Sequence, residues 1–442
     1  MDDWLGMTAA ALGRGIADGS IGPVALTDTY LAAIAAHPHR DRIYARVTED
    51  RARAEAKAAE ARAKAGRRLS PLDGVPVSWK DLFDTAGVAT EAGSRLLAGR
   101  VPEADALVLR NATALGLVCL GKTHMTELAF SGLGYNPMTA TPPCVNDEEA
   151  VPGGSSSGAA ASVAFGLAAA GIGSDSGGSV RVPAAWNDLV GLKTTWGRLS
   201  LEGVVPLFPN FDTVGPLCRS VEDAALLLAA LEGGKAADLR GATVDGARFL
   251  VLETIAFDDI RAAPRDGFEQ AVALLQRAGA EIVRREVPIV REAMGLSPAI
   301  FATEAYGVWK DVIEANPGVM YPPVLERFRG GKAVSGPDYV AAMRSLGRLR
   351  TAWREATAAY DAVLVPTVPN LPPKAQAIAA DAALFVSENL LALRNTRIGN
   401  LMGLPVVTLP TGVPSTGISL MGAPLGEERL LRLGAAAEAA LA

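Results

Sequence analysis

Residues 153–183 read GGSSSGAAASVAFGLAAAGIGSDSGGSVRVP. Two clusters of small residues, Gly153–Gly158 and Gly173–Ser179, bracket a helix-forming stretch over 158–170 and a short strand at Gly171–Ser174. Flexible linkers share this composition, but both clusters here are set in apolar helix and strand segments, and Ser179 runs straight into Val180, Arg181, Val182 and Pro183. Ordered loops at the ends of regular elements are expected. Glycine in such loops permits close backbone approach and positive φ, so that several N–H groups can converge on one oxygen. An oxyanion hole is the natural use.

Outward from this stretch the chain alternates. Towards the N-terminus, Ala, Leu and Ile recur at helical spacing over 7–36 and 48–66. After the Pro71–Gly74 turn, Val75, Val77 and Trp79 alternate as in a strand that ends on Lys80 and Asp81. A helix over 104–115 feeds the apolar run Leu117–Leu120, which reads as a buried strand. Towards the C-terminus come a helix over 220–232, a strand over 249–253, a helix over 265–278 and a strand over 281–288, then apolar runs at 361–365 and 404–409. The class is α/β: a large mixed, mainly parallel twisted sheet flanked by helices on both faces. Residues 289–357 lack strand signals and carry most of the remaining aromatics, so a helical insertion over the sheet and its active site is expected there.

With 442 residues, 49% of them hydrophobic and 20% charged, the chain can bury a large core. Forty-two Lys plus Arg against 48 Asp plus Glu give a net charge of -6, which leaves no footprint for direct binding of nucleic acid. There are only three His (His37, His39, His124) and three widely spaced Cys (Cys119, Cys144, Cys218). Neither a disulfide framework nor a thiolate zinc site is supported, and no metal or other cofactor is expected. The opening residues resemble neither a signal peptide nor a membrane span, so the expectation is a cytoplasmic protein without a membrane partner.

Two motif matches fail on context. Gly116–Thr123 fits GxxxxGK[ST], but Leu117–Leu120 are themselves the strand and cannot form the phosphate-cradling turn. Gly154–Gly158 fits GxSxG around Ser156, but no strand precedes it and no His follows residue 124. His37 and His39 sit in a polar turn, and His124 either lines a pocket or caps a helix. With His nearly excluded, a serine nucleophile is left with lysine as base. Burial can lower an ammonium pKa of about 10.4 by several units; Lys80, at the end of an apolar strand, is the candidate.

At these positions the sequence resembles the amidase signature hydrolases. The likeness runs in order through Pro71–Asp81, Gly121–Thr123, Gly153–Gly158, Gly171–Pro183, Val190–Lys193, Trp196–Ser200 and Asp212–Pro216, with weaker traces at Val365–Thr367 and Gly403–Pro405. The resemblance implies a single amidase domain over 1–442, with a catalytic core at 70–220. It implies Ser179 as nucleophile, Ser155 as bridging serine after a cis Gly154–Ser155 peptide, and Lys80 as base. Backbone N–H groups of Ser176, Gly177, Gly178 and Ser179 would form the oxyanion hole. Asp175 and Arg181 would brace the loop, and His124, Phe130, Ser131 and Trp186 would border the substrate pocket.

His124 stands where the family usually has Asn, and Trp186-Asn187-Asp188 also departs from the common pattern. The implied reaction is hydrolysis of a linear carboxamide to carboxylate and ammonia or amine through an acyl-enzyme. The alternatives are the glutaminase subunit of a tRNA-dependent amidotransferase and a hydrolase of urea-like amides. The expected partner is a small-molecule amide, with a possible homodimer.

Overall fold

Eleven strands form one sheet in the computed structural model, which describes residues 2–442, so that Met1 of the 1–442 unit lies outside the described residues. In chain order they are β1 (Tyr44–Val47), β2 (Pro76–Lys80), β3 (Val118–Thr123), β4 (Ala170–Asp175), β5 (Val190–Lys193) and β6 (Thr213–Cys218). There follow β7 (Arg248–Leu252), β8 (Glu281–Arg285), β9 (Ala362–Pro366), β10 (Val406–Pro410) and β11 (Gly417–Met421). The spatial order is β1-β3-β2-β4-β6-β5-β10-β11-β9-β7-β8.

The sheet is mixed, and the expectation of a mainly parallel one is corrected. β3, β2 and β4 run parallel, as do β9, β7 and β8. From β4 through β6, β5, β10 and β11 to β9 every pairing is antiparallel. The sequence misleads because these central strands are buried on both faces, so an antiparallel strand reads as a continuous apolar run just as a parallel one does. β6 is not legible as a strand at all: Thr213-Val-Gly-Pro-Leu-Cys218 carries a proline, which argues against a central position. Pro216 is tolerated because β5 is in register only with Leu217 and Cys218.

Helices cover both faces. The periodic stretch over 7–36 is two helices, Ala9–Asp18 and Pro23–Ala36, broken where Gly19 turns left-handed at φ 82°. The helix after the first small-residue cluster spans Ser157–Ala164, shorter than the sequence pattern indicated, and Gly166 at φ 72° turns the chain into β4. Residues 289–357 form the helices Ile289–Ala315, Pro322–Arg329 and Gly336–Thr357 with short 3-10 turns between them. No helix among the described residues is long and apolar enough to cross a membrane.

What positions the site is the parallel pairing of β2 with β4, in which Val77 faces Ala170 and Trp79 faces Ile172. Both strands therefore end at the same edge, and the loops that follow them meet there. Close packing at the centre of the sheet requires glycine. A Cβ on Gly215 would lie 1.8 Å from the Leu192 carbonyl oxygen, a backbone atom that cannot swing aside. Gly215→Ala is therefore expected to destabilise the fold by about 3 kcal/mol or more. Gly347→Ala, on an exposed helical turn where a Cβ meets nothing within 4 Å, should stabilise it by about 1 kcal/mol. Urea unfolding of the two variants beside the parent checks both signs.

Candidate active site

Lys80 is the last residue of β2 and is fully buried. Its Nζ lies 2.7 Å from Ser155 Oγ and 2.8 Å from Ser174 Oγ, with no carboxylate among the described residues in salt-bridge contact. Burial drives its pKa down from 10.5 to about 7, although the more distant carboxylates of Asp175 and Asp212 pull the other way. The group is thus poised between ammonium and amine near neutral pH.

Ser155 and Ser156 enter the site ahead of the Ser157–Ala164 helix, and the Gly154–Ser155 peptide is cis. This loop lies directly on β4: a Cβ on Gly173 would come within 2.6 Å of Ser156 Oγ. Ser156 Oγ donates to the Ser174 carbonyl at 3.2 Å, and Ser156 N–H donates to the Ser179 carbonyl at 3.2 Å. The two serine clusters of the sequence are therefore joined side by side. The link between them runs through the Ser156 amide and hydroxyl, with no direct hydrogen bond between Ser155 Oγ and Ser179 Oγ.

The loop 176–180 is organised by Asp175. Its carboxylate accepts from Gly178 N–H at 2.9 Å, Val180 N–H at 3.2 Å, Asn400 Nδ2 at 2.9 Å and both arms of Arg181 at 2.8 and 2.9 Å. Burial alone would raise this carboxyl's pKa, but the Arg181 guanidinium beside it, with Lys193 and Asn400, holds it far below the usual range. Arg181 continues to the Thr396 carbonyl at 2.6 Å and Asn400 Oδ1 at 2.7 Å, so the loop is pinned to the Arg394–Met402 helix.

The expected oxyanion donors divide. Gly178 N–H is engaged by Asp175, whereas Ser176, Gly177 and Ser179 N–H have no acceptor among the described residues. A Cβ on Gly177 would meet nothing within 4 Å, so the loop is open on that side. The Ser176 hydroxyl donates to Asp212 Oδ1 at 2.5 Å.

Ser179 opens into a narrow cavity of about 20 Å³, walled by Phe130, Ser131, Phe208, Phe301, Arg327 and Arg397. Phe130 and Ser131, two of the residues expected near the substrate, line this cavity. His124 and Trp186 do not line this cavity. The His124 backbone is tied to Ile43 and to Gly158 at the start of the Ser157–Ala164 helix, and burial lowers its imidazole pKa to about 4. Trp186 is fully buried and donates through Nε1 to the Asn370 carbonyl at 3.2 Å. Lys122 of the rejected phosphate-loop match is buried in β3, 3.2 Å from Asp81.

Ser174, Asp212, Phe208, Phe301, Arg327 and Arg397 do not stand out in the sequence as site residues. Ser174 and Asp212 lie inside the motifs quoted above, and a strand-end position is their only signal. The other four have none, since they come from separate loops and helices.

The amidase family model matches residues 25–431. The 2-amino-5-chloromuconic acid deaminase of Comamonas testosteroni is 37% identical over 427 residues, covering 94% of this chain and 92% of that protein. A glutamyl-tRNA(Gln) amidotransferase subunit of Anaeromyxobacter sp. (strain K) is 34% identical, with 96% and 94% covered. The solved peptide amidase of Stenotrophomonas maltophilia superposes with a TM-score of 0.83 at 27% identity, over 98% of this chain and 96% of that one. The chain belongs to the amidase signature family. These relatives are named for different substrates, so membership assigns C–N bond hydrolysis and leaves the substrate to the pocket.

Removing one partner of a buried ion pair strands the other charge, at a cost of about 3–5 kcal/mol. Arg181→Met should therefore lower the unfolding free energy by that amount in urea titrations. Arg240→Met, which breaks only an exposed pair with Asp238, should leave the midpoint unchanged.

Proposed function

We propose that this protein hydrolyses the C–N bond of a linear carboxamide to a carboxylate and ammonia or an amine, with Ser179 as nucleophile, Ser155 as relay and Lys80 as base. The observation that carries this reading is the Lys80 Nζ to Ser155 Oγ contact of 2.7 Å, in a buried setting that lowers the lysine pKa to about 7. A serine hydroxyl needs a neutral base to lose its proton, and burial supplies one.

Neutral Lys80 takes the Ser155 proton while Ser155 takes that of Ser179, and Ser179 Oγ attacks the amide carbon. The carbonyl oxygen becomes an oxyanion facing the free N–H groups of Ser176, Gly177 and Ser179, the arrangement that stabilises such charge. The C–N bond then breaks, and the proton held by Lys80 returns through Ser155 to the departing nitrogen. Water adds to the acyl-enzyme by the same relay and releases the acid. Asp175 and Arg181 hold the loop in shape without touching substrate.

The likeness to glutamyl-tRNA(Gln) amidotransferase subunits supports a second reading, a glutaminase that works with a partner protein. Hydrolysis of glutamine raised by a co-purifying protein favours it; equal activity of the lone chain on simple amides goes against it.

Ser179→Ala and Lys80→Met are each expected to lower kcat by about 10⁴-fold or more in an ammonia-release assay. Full activity of either variant would sink the triad. Because the amine is the active form, kcat/KM on a non-ionising amide should be flat above about pH 7 and fall about tenfold per unit below it. A profile still flat at about pH 5 would remove Lys80 as base.

A further inference from the structure

Arg327, on the Pro322–Arg329 helix, and Arg397, on the Arg394–Met402 helix, are half-buried and share the wall of the cavity that Ser179 opens into. Neither has a carboxylate partner among the described residues. Arg327 donates to the Phe130 carbonyl at 2.9 Å and lies over the Phe130 ring at 4.3 Å, which accounts for one of its five N–H donors. Arg397 has no oxygen acceptor among the described residues; its nearest polar contact is Met294 Sδ at 4.0 Å, and it sits over the Phe301 ring at 5.9 Å.

Other buried arginines of the chain are handled differently. Arg181 is paired with Asp175, and Arg219 is ringed by the carbonyls of Leu5, Met7, Val163, Ala168 and Ala169. Burial weakens proton binding at both Arg327 and Arg397, and the charge of Arg397 weakens it further at Arg327, yet both remain cationic at neutral pH. No acidic side chain among the described residues lines the cavity. An uncompensated pair of this kind is unfavourable in the empty protein and becomes favourable when an anion enters.

We propose that Arg327 and Arg397 form a carboxylate-binding subsite, so that the substrate is an amide carrying a carboxylate at its far end. The guanidinium fork matches a carboxylate in two parallel hydrogen bonds, while the phenyl walls of Phe130, Phe208 and Phe301 offer no acceptor to a cationic tail. The arginines are positioning and specificity residues here; the assignment rests on Ser179 attacking the amide.

The test compares half-amides with neutral diamides of equal length, succinamate with succinamide and malonamate with malonamide. The parent enzyme is expected to favour the anionic member by 100-fold or more in kcat/KM, and Arg327→Met and Arg397→Met should each reduce that ratio at least tenfold, chiefly through KM. Independently, Ser179→Ala protein should gain thermal stability in malonate, succinate or glutarate and lose that gain when Arg397→Met is added. Circular dichroism confirms that each variant is folded, and Arg397→Lys serves where Arg397→Met is not.

Equal use of the two members of each pair, or no stabilisation by any of the three dicarboxylates, overturns the subsite. A fully active Ser179→Ala enzyme that still binds dicarboxylates through the arginines would overturn the acyl-enzyme instead and leave the subsite standing.

Discussion

The Asp175–Arg181 pair is the interaction around which the site is built. A bidentate ion pair with both partners almost wholly excluded from solvent gains little net stability over an apolar pair, because desolvation offsets most of the attraction. Its consequence is geometric. One carboxylate at the end of β4 takes hydrogen bonds from the 176–180 loop, from the helix that starts at Arg181 and from Asn400, 225 positions away in the chain. The loop carrying Ser179 therefore has one conformation, fixed from both ends of the sequence. Spending Gly178 N–H on that carboxylate leaves Ser176, Gly177 and Ser179 N–H in this loop without an acceptor among the described residues.

The same pair governs the charge on Lys80. Asp175 is the carboxylate that most favours the lysine's protonation, but its own lone pairs are already committed to Arg181, Asn400 and two backbone amides. Asp212, the other, is committed to Ser176 and to the amides of Leu207 and Phe208. Lys80 consequently finds only hydroxyl partners, and desolvation dominates. A carboxylate at hydrogen-bond distance would favour the ammonium form. The site is thus a buried pocket in which both nearby acids are satisfied by something other than the lysine.

How much of this the sequence reveals follows from locality. Residues 153–183 contain both serine clusters and the helix between them, and their small side chains announce loops in which backbone amides can converge. Lys80 is legible because a charge ending an apolar strand has to be explained. The strand directions are not, since burial on both faces erases the alternation that would tell β4 from β6. Nor are the ends of elements governed by a single glycine, as at Gly19 and Gly166. His124 and Trp186 draw notice as departures from a pattern, yet each is absorbed by packing: the His124 backbone supports a helix, and the Trp186 indole satisfies a buried carbonyl.

Arg327 and Arg397 show why the chemistry is more readable than the substrate. Lys80 and the two serine clusters are brought together by short runs at the ends of neighbouring strands. The far wall of the cavity has a looser requirement, which residues on separate helices meet, each placed by its own helix. Phe208 stacks on Phe301 and Phe130 meets Phe328 edge-on, so the aromatic wall is itself an assembly of four distant segments. In a sequence each of these side chains reads as ordinary core or as a solvated charge. Only their convergence sets them apart: a largely apolar wall that carries two cations and no acid, beside Ser179.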